Sequence, residues 1–445
     1  MNNCLIVNAN LVNEGVITQR DVLIRNGRIE AIGHGLSAPG VRVVDAAGRY
    51  LLPGMIDDQV HFREPGLTHK GDMATESRAA VAGGITSFMD MPNTMPNTLN
   101  TAVLNEKKQL AAGRSLANYA FYLGASNDNL ESIKALDPRD ACGIKVFMGA
   151  STGNMLVDDP EVLEQIFTHA PTLIAAHCED TPSILENEES YRGIYGDAIP
   201  FHLHPVIRSE AACYKSSSMA MELAKRCGTR LHILHISTAK EAEMFADLPL
   251  KDKRITAEAC VHFLHFADED YATKGSLIKC NPAIKTAEDR AGIIQALLDG
   301  RLDVIGTDHA PHTWGEKQSE SYFKAPSGLP LVQHALQTVL EHYQDGIFSL
   351  EFIVEKTSHA VAEMFNIKER GYIREGYWAD LVLVDLDKPF LATHANSLSK
   401  CGWTPFDGYE FRSSIAATWV NGCLVWQDGQ VLDVPAQGMA LVFDR

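Results

Sequence analysis

The chain has 445 residues, 39 basic against 57 acidic, giving a net charge of −18, with 45% hydrophobic and 22% charged residues. That length excludes a small module or a disulfide mini-protein and allows about three domains, or one large barrel with an appendage. The charge repels nucleic acid and membrane surfaces and favours small partners, while nine scattered cysteines without a CxxC pair read as reduced thiols. With neither a basic, apolar leader nor an apolar run of about 18 residues, the expected location is the cytoplasm.

In chain order, the first fifty residues alternate apolar and polar positions through Cys4–Val7, Val22–Ile24 and Arg28–Ile32, with Asn26-Gly27 as a hairpin turn. The middle alternates short apolar runs with amphipathic stretches. The runs are Leu52–His61, Gly84–Met91, Tyr119–Leu123, Gly143–Met148, Thr172–His177, Arg230–His235, Arg254–Cys260 and Leu302–Thr307. The stretches between them include Met73–Ala82, Ala102–Ala112, Val162–His169, Ser217–Cys227 and Glu288–Leu298. Eight strand–helix units predict a TIM (β/α)8 barrel. The far end returns to β style, Ala379–Asp385, Thr418–Asn421 and Gly422–Gln427, with turns at Asn421-Gly422 and Asp428-Gly429. Both ends are therefore expected to form one small β-sandwich, residues 1–52 with 366–445, around a barrel over 53–365.

The ends of the barrel strands are polar and rich in metal-ligand types. Strand one closes on Asp57-Asp58-Gln59-Val60-His61-Phe62-Arg63, where a period of two puts Asp57, Gln59 and His61 on one face and turns Asp58 away from the axis. Strand four holds Lys145 inside an apolar run. Strand five ends at His177, strand six at His235 and strand eight at Gly306-Thr307-Asp308-His309-Ala310-Pro311-His312. Imidazoles and a carboxylate converging on one rim suit zinc with an open position for water. The same alternation makes His232, facing away from His235, structural, and His262 and His265 read as structural or rim residues. Lys145 has two readings: an ammonium snorkelling to the rim, or a lysine carrying carbon dioxide as a carbamate that bridges two metals.

His61, Lys145, His177, His235 and Asp308, in that order on their strands, resemble the amidohydrolase superfamily in its carboxylated-lysine branch. Pro53-Gly54-Met55-Ile56-Asp57, His61-Phe62-Arg63-Glu64-Pro65-Gly66, Met91-Pro92-Asn93-Thr94 and the strand-eight motif are similar to those of dihydroorotases. The resemblance implies zinc held by those five residues and reversible opening of dihydroorotate to N-carbamoyl-L-aspartate in pyrimidine biosynthesis. It implies that Asp308 shuttles the proton between the attacking water and the ring nitrogen. Arg63, Asn93 and His312 would grip the substrate carboxylate, Asn281 would contact the ring, and Gly328 in Ala325-Pro326-Ser327-Gly328 would add backbone contacts. In so acidic a chain the cations for an anionic substrate must be local, namely zinc, Arg63 and His312. The partners this allows are a second copy of the chain and aspartate transcarbamoylase.

Strand one departs from the pattern. The family has His-x-His where this chain has Gln59-Val60-His61. An amide oxygen is a poorer zinc donor than imidazole, so one firm zinc and a second, weaker one are expected. The competing readings are an allantoinase or hydantoinase, and a non-catalytic partner of aspartate transcarbamoylase. Allantoinases typically carry Asn at the position of Arg63. Hydantoinases lack that arginine and carry a tyrosine just after the lysine motif, where this chain reads Gly149-Ala150-Ser151. The polar run Gly315–Ser321 within Thr313–Pro326 suits either a mobile lid or a plain solvated loop.

Overall fold

The computed structural model describes residues 3–149 and 154–445, so Ala150 and Ser151 of the hydantoinase comparison lie outside the described residues. Strands β1 (Cys4–Asn13), β2 (Val16–Arg25), β3 (Arg28–Gly33), β4 (Arg42–Asp45) and β5 (Tyr50–Pro53) come first. The central strands follow: β6 (Met55–Val60), β7 (Ile85–Asp90), β8 (Asn118–Phe121) with its continuation β9 (Leu123–Gly124), β10 (Ile144–Phe147), β11 (Ile174–His177), β12 (Leu231–Ile233), β13 (Ile255–Cys260) and β14 (Val304–Gly306). Each falls within one of the expected runs, except that β8 starts one residue before Tyr119–Leu123 and β9 ends one residue after it. The last group is β15 (Leu381–Asp385), β16 (Phe390–Leu391), β17 (Glu410–Phe411), β18 (Ser414–Val420), β19 (Cys423–Gln427) and β20 (Gln430–Val431).

The central strands pair in parallel and in chain order, β6 with β7 and β8, then β9 through to β14. The last meets the first through a parallel bridge between Val60 and His309 and a 2.7 Å bond from His61 N–H to the His309 carbonyl. These pairings make a closed ring of eight parallel strands. Such strands are covered on both faces, which is why they read as short, continuous apolar runs. Among the helices, Met73–Ala82 matches its expected span and is capped by Asp72, whose carboxylate accepts the N–H groups of Ala74 and Thr75. The helix expected over Ser217–Cys227 starts earlier, at Glu210, where the Ser209 hydroxyl accepts the Ala212 N–H.

The chain ends do share one β unit. Hydrogen bonding joins nine strands into a single sheet in the order β20-β19-β18-β15-β5-β1-β2-β3, with β4 also on β1. Ten-residue β1 offers one edge to two successive partners, β4 along Cys4–Val7 and β5 along Asn10–Leu11. Alternate residues of β15 enter different cores: Leu381 and Leu383 pack with Ile6, Val22 and Trp419, while Val382 and Val384 join the larger core beside the ring. That explains the unbroken Leu-Val-Leu-Val. The expected turns Asn26-Gly27 and Asn421-Gly422 form, all four residues at positive φ. They also touch, since a Cβ on Gly27 would lie 2.7 Å from the Asn421 carbonyl oxygen and one on Gly422 would lie 2.7 Å from Gly27 Cα.

One buried ion pair ties the second ring strand to the rim. Lys107 Nζ lies 2.5 Å from Asp90 Oδ2, both side chains fully buried, and Asp90 Oδ1 accepts the Phe62 N–H at 2.7 Å. Removing the lysine leaves a buried, uncompensated carboxylate. Lys107→Met is therefore expected to destabilise the fold by about 3–5 kcal/mol, read as a lowered urea midpoint; an unchanged midpoint would refute this account of the pair.

Candidate active site

The strands of the ring deliver their terminal side chains to one cavity of about 490 Å³. His61, Arg63, Asn93, Lys145, His177, His235, Asn281, Asp308, His312 and Gly328 all line it, together with Gln59. Three of these adopt left-handed backbone without being glycine: Arg63 at φ 68°, His235 at φ 41° and Asp308 at φ 53°. Each such residue costs of order 1 kcal/mol or more, and strain of this kind gathers where side-chain placement matters more than stability.

Two groups of donors face each other across the cavity floor. On one side His61 Nε2 and Asp308 Oδ1 are 3.1 Å apart, while His61 Nδ1 donates to Asn93 Oδ1 at 2.8 Å. On the other, His177 Nδ1 and His235 Nε2 are 2.9 Å apart, and His235 Nδ1 is buried without a hydrogen-bond partner. Lys145, 1% exposed, lies with its ammonium 4.5 Å from the Phe147 ring. Imidazole nitrogens at contact distance, one orphaned, beside a carboxylate and a buried amine, form a donor set that fits metal ions. Gln59 enters it differently from expectation: its amide nitrogen donates to Asp308 Oδ1 at 3.1 Å.

Burial sets the charge states. It pulls His177 down and His235 well below the ordinary imidazole range, so both are neutral and ligand-ready at pH 7. Burial alone would raise Asp308, but its hydrogen bond with His61 and the positive charges around it outweigh that and hold it below the usual carboxylate range. Burial lowers Lys145 to about 8 against the opposing fields of Asp308 and Glu258. Such an amine is neutral far more often near pH 7.5 than an ordinary lysine.

At the mouth, Arg63 donates Nε–H to the Pro311 carbonyl at 3.0 Å, and its Nη2 lies 3.1 Å from His312 Nε2. Burial brings Arg63 down to about 10, which leaves it charged at pH 7. Burial, with the charges of Arg63, Lys70 and Lys317, drives His312 well below its ordinary value. His312 is thus a neutral hydrogen-bonding group, a correction to its expected place among the cations.

Other placements were not legible in advance. Glu179 accepts from His177 Nε2 at 2.8 Å and from Arg208 at 2.6 Å. Burial opposes its charge, yet Arg208 and His177 hold it at about 2. The alternation that puts residues 177 and 179 on one face was the available clue. Arg208 and Lys279 also line the cavity, and nothing in the periodicity marks them. Asp58 corrects the period-two reading. The register of β6 against β7 shifts between Asp57 and Val60, and the Asp58 carboxylate reaches within 3.2 Å of His232 Nε2. Those strands are not neighbours, so both side chains point into the ring. With Glu258 they form a buried trio that could hold a metal ion. His262 is fully buried against Phe263.

Residues 50–425 match the model of the amidohydrolase family. The chain belongs to that family. A dihydroorotase of Halobacterium salinarum is 34% identical over 93% of this amidohydrolase and 94% of the relative. An allantoinase of Bacillus velezensis is 29% identical over 96% of this chain and 94% of its own. Among solved structures, the L-hydantoinase (dihydropyrimidinase) of Arthrobacter aurescens superposes with a TM-score of 0.93 at 27% identity, covering 99% of this chain and 100% of the other. This amidohydrolase is accordingly a cyclic-amide hydrolase by kinship, and no helix among its described residues is long and apolar enough to cross a membrane.

The loop beyond Asp308 is anchored at one residue of its polar run. Lys317 is fully buried, and its ammonium donates to the carbonyls of Lys279, Pro326 and Gly328 at 2.9–3.1 Å. Burial lowers it to about 7. Lys317→Met would strand three buried acceptors, at about 1–3 kcal/mol each. Faster hydrogen exchange confined to residues 313–328 and a raised KM are expected; unchanged exchange there would show that the lysine does not hold the loop.

Proposed function

We propose that this amidohydrolase is a dihydroorotase, interconverting dihydroorotate and N-carbamoyl-L-aspartate in the cytoplasm. The observation that carries the reading is Arg63, a buried, charged guanidinium at the cavity mouth beside His312, with Asn93 on the same wall. A guanidinium fork suits a carboxylate, which dihydroorotate carries and a simple hydantoin lacks. Allantoinases typically carry Asn at this position, so the arginine favours dihydroorotate over the chemistry named for some relatives. Arg208 and Lys279 add local positive charge within a chain of net charge −18.

His61, Lys145, His177, His235 and Asp308 would hold zinc. When bound, the metal would polarise the scissile carbonyl and make water nucleophilic at neutral pH. In the ring-opening direction the water oxygen bonds to the carbonyl carbon, the carbon–nitrogen bond breaks, and Asp308 carries the water's proton to the departing nitrogen. Neutral Lys145 amine and carbon dioxide give the carbamate with release of one proton, a step that lowering toward about 8 makes accessible near neutrality. Arg63 and Asn93 orient the substrate carboxylate, and Glu179 fixes the ring of His177.

An ultraviolet assay of dihydroorotate formation and consumption tests the reading, with allantoin and an uncharged hydantoin as competing substrates. Turnover of dihydroorotate in both directions is expected; zinc-supplied protein that turns over only a competitor would overturn it. Arg63→Ala should lower kcat/KM for dihydroorotate on the order of 10²-fold or more while sparing a hydantoin.

Gln59 also has a measurable consequence in this reading. Because it donates to Asp308 instead of ligating, the zinc beside His61 and Asp308 should be the weaker one. Exhaustive dialysis followed by diffraction at the zinc edge is expected to show the ion beside His61 and Asp308 lost from the wild type while the one beside His177 and His235 stays, and Gln59→His to keep both. Equal occupancy of those two rim positions in the dialysed wild type counts against it.

A further inference from the structure

Beneath the rim cavity, inside the ring, Asp58 of β6, His232 of β12 and Glu258 of β13 converge. One donor atom from each lies within 4.8 Å of the others, all three side chains are fully buried, and none lines the rim cavity. Hydrogen bonds around the trio fix its chemistry. The Thr256 hydroxyl gives its proton to the Leu231 carbonyl at 3.3 Å, so it accepts from His232 Nδ1 at 2.9 Å. His232 is therefore the Nδ1–H tautomer, and its Nε2 presents a lone pair.

That lone pair faces carboxylate oxygens. Nε2 is 3.2 Å from Asp58 Oδ2, yet neither atom makes a hydrogen bond there, and Asp58 Oδ1 and Glu258 Oε2 also have no partner. The other Glu258 oxygen is already committed, accepting the His235 N–H at 2.9 Å and the Cys260 thiol at 3.0 Å. A lone pair and two carboxyl groups thus confront one another in the buried interior, where burial and Asp58 push Glu258 well above the ordinary carboxyl range, so that either a proton shared by the carboxyls or a metal ion must hold them together. Gly306 leaves room for a metal ion, since a Cβ there would fall 2.5 Å from Glu258 Oε2 and 3.0 Å from Asp58 Oδ1.

We propose that Asp58, His232 and Glu258 bind a divalent transition-metal ion of the zinc class, at a structural site separate from the rim. One imidazole and two carboxylates suit such an ion, and 3.2 Å is close to the edge of about 3.3 Å expected between ligands of a tetrahedral zinc. The Thr256 bond that sets the tautomer is the support metal-binding histidines commonly have. The ion would pin three strands of the ring together, and through Glu258 it would fix the backbone of His235.

Crystals of the intact protein grown with zinc, with diffraction recorded on both sides of the zinc edge, decide the matter. An anomalous peak about 2.0–2.2 Å from the three donor atoms is expected, whatever the rim contains. No peak within the trio, with or without zinc at the rim, would overturn the proposal in favour of a proton shared between the carboxyls. In solution, Asp58→Asn should retain one zinc fewer per chain than the wild type after dialysis, and equal contents would also overturn it. Should that variant not fold, the wild-type diffraction stands alone as the test.

Discussion

Everything at the rim depends on the seam where the first strand of the ring meets the last. Asp57 spans it, accepting the Thr307 hydroxyl at 2.6 Å and the Thr307 N–H at 3.1 Å. The bond from His61 N–H to the His309 carbonyl closes the next step of the ladder. Strand one and strand eight lie 250 residues apart in sequence, and only this closure brings Gln59 and His61 against Asp308. Burial pushes Asp57 up to about 8, so the seam keeps a polar group where a charged one would be costly.

Much of this was readable in advance, for definite reasons. Strands covered on both faces must be apolar throughout, which exposed the ring, and polar residues at their ends had no reason to be there except the rim. Asn-Gly turns announced the hairpins because few other pairs accept two positive φ angles. What failed did so through local physics. Asp58 was misplaced because a register shift breaks a period of two. The Lys317 anchor of its loop was missed because composition does not reveal an ammonium satisfied by backbone carbonyls. The strand order of the β unit was not legible because no pattern shows that β1 has two partners on one edge.

In the proposed reading, an acidic chain has to arrange for an anionic ligand. Its positive groups are few, buried and individually braced: Arg63 by the Pro311 carbonyl, Arg208 by Glu179, Lys279 by the carbonyls of Tyr322 and Ala325. Held this way, they lose little freedom when a ligand arrives, and a low-dielectric surround strengthens their local field against the distant negative surface. The left-handed residues at Arg63, His235 and Asp308 belong to the same economy of rigid placement.

The contact between the turns at Gly27 and Gly422 reaches beyond packing. Its partners are nearly the whole chain apart, so during synthesis the N-terminal hairpin emerges with its counterpart still unmade. Through that interval the outer edge of β5, which later receives β15 and through it β18, has no strand to cover it. Completion of the sheet is therefore a late, long-range event that follows the synthesis of the ring.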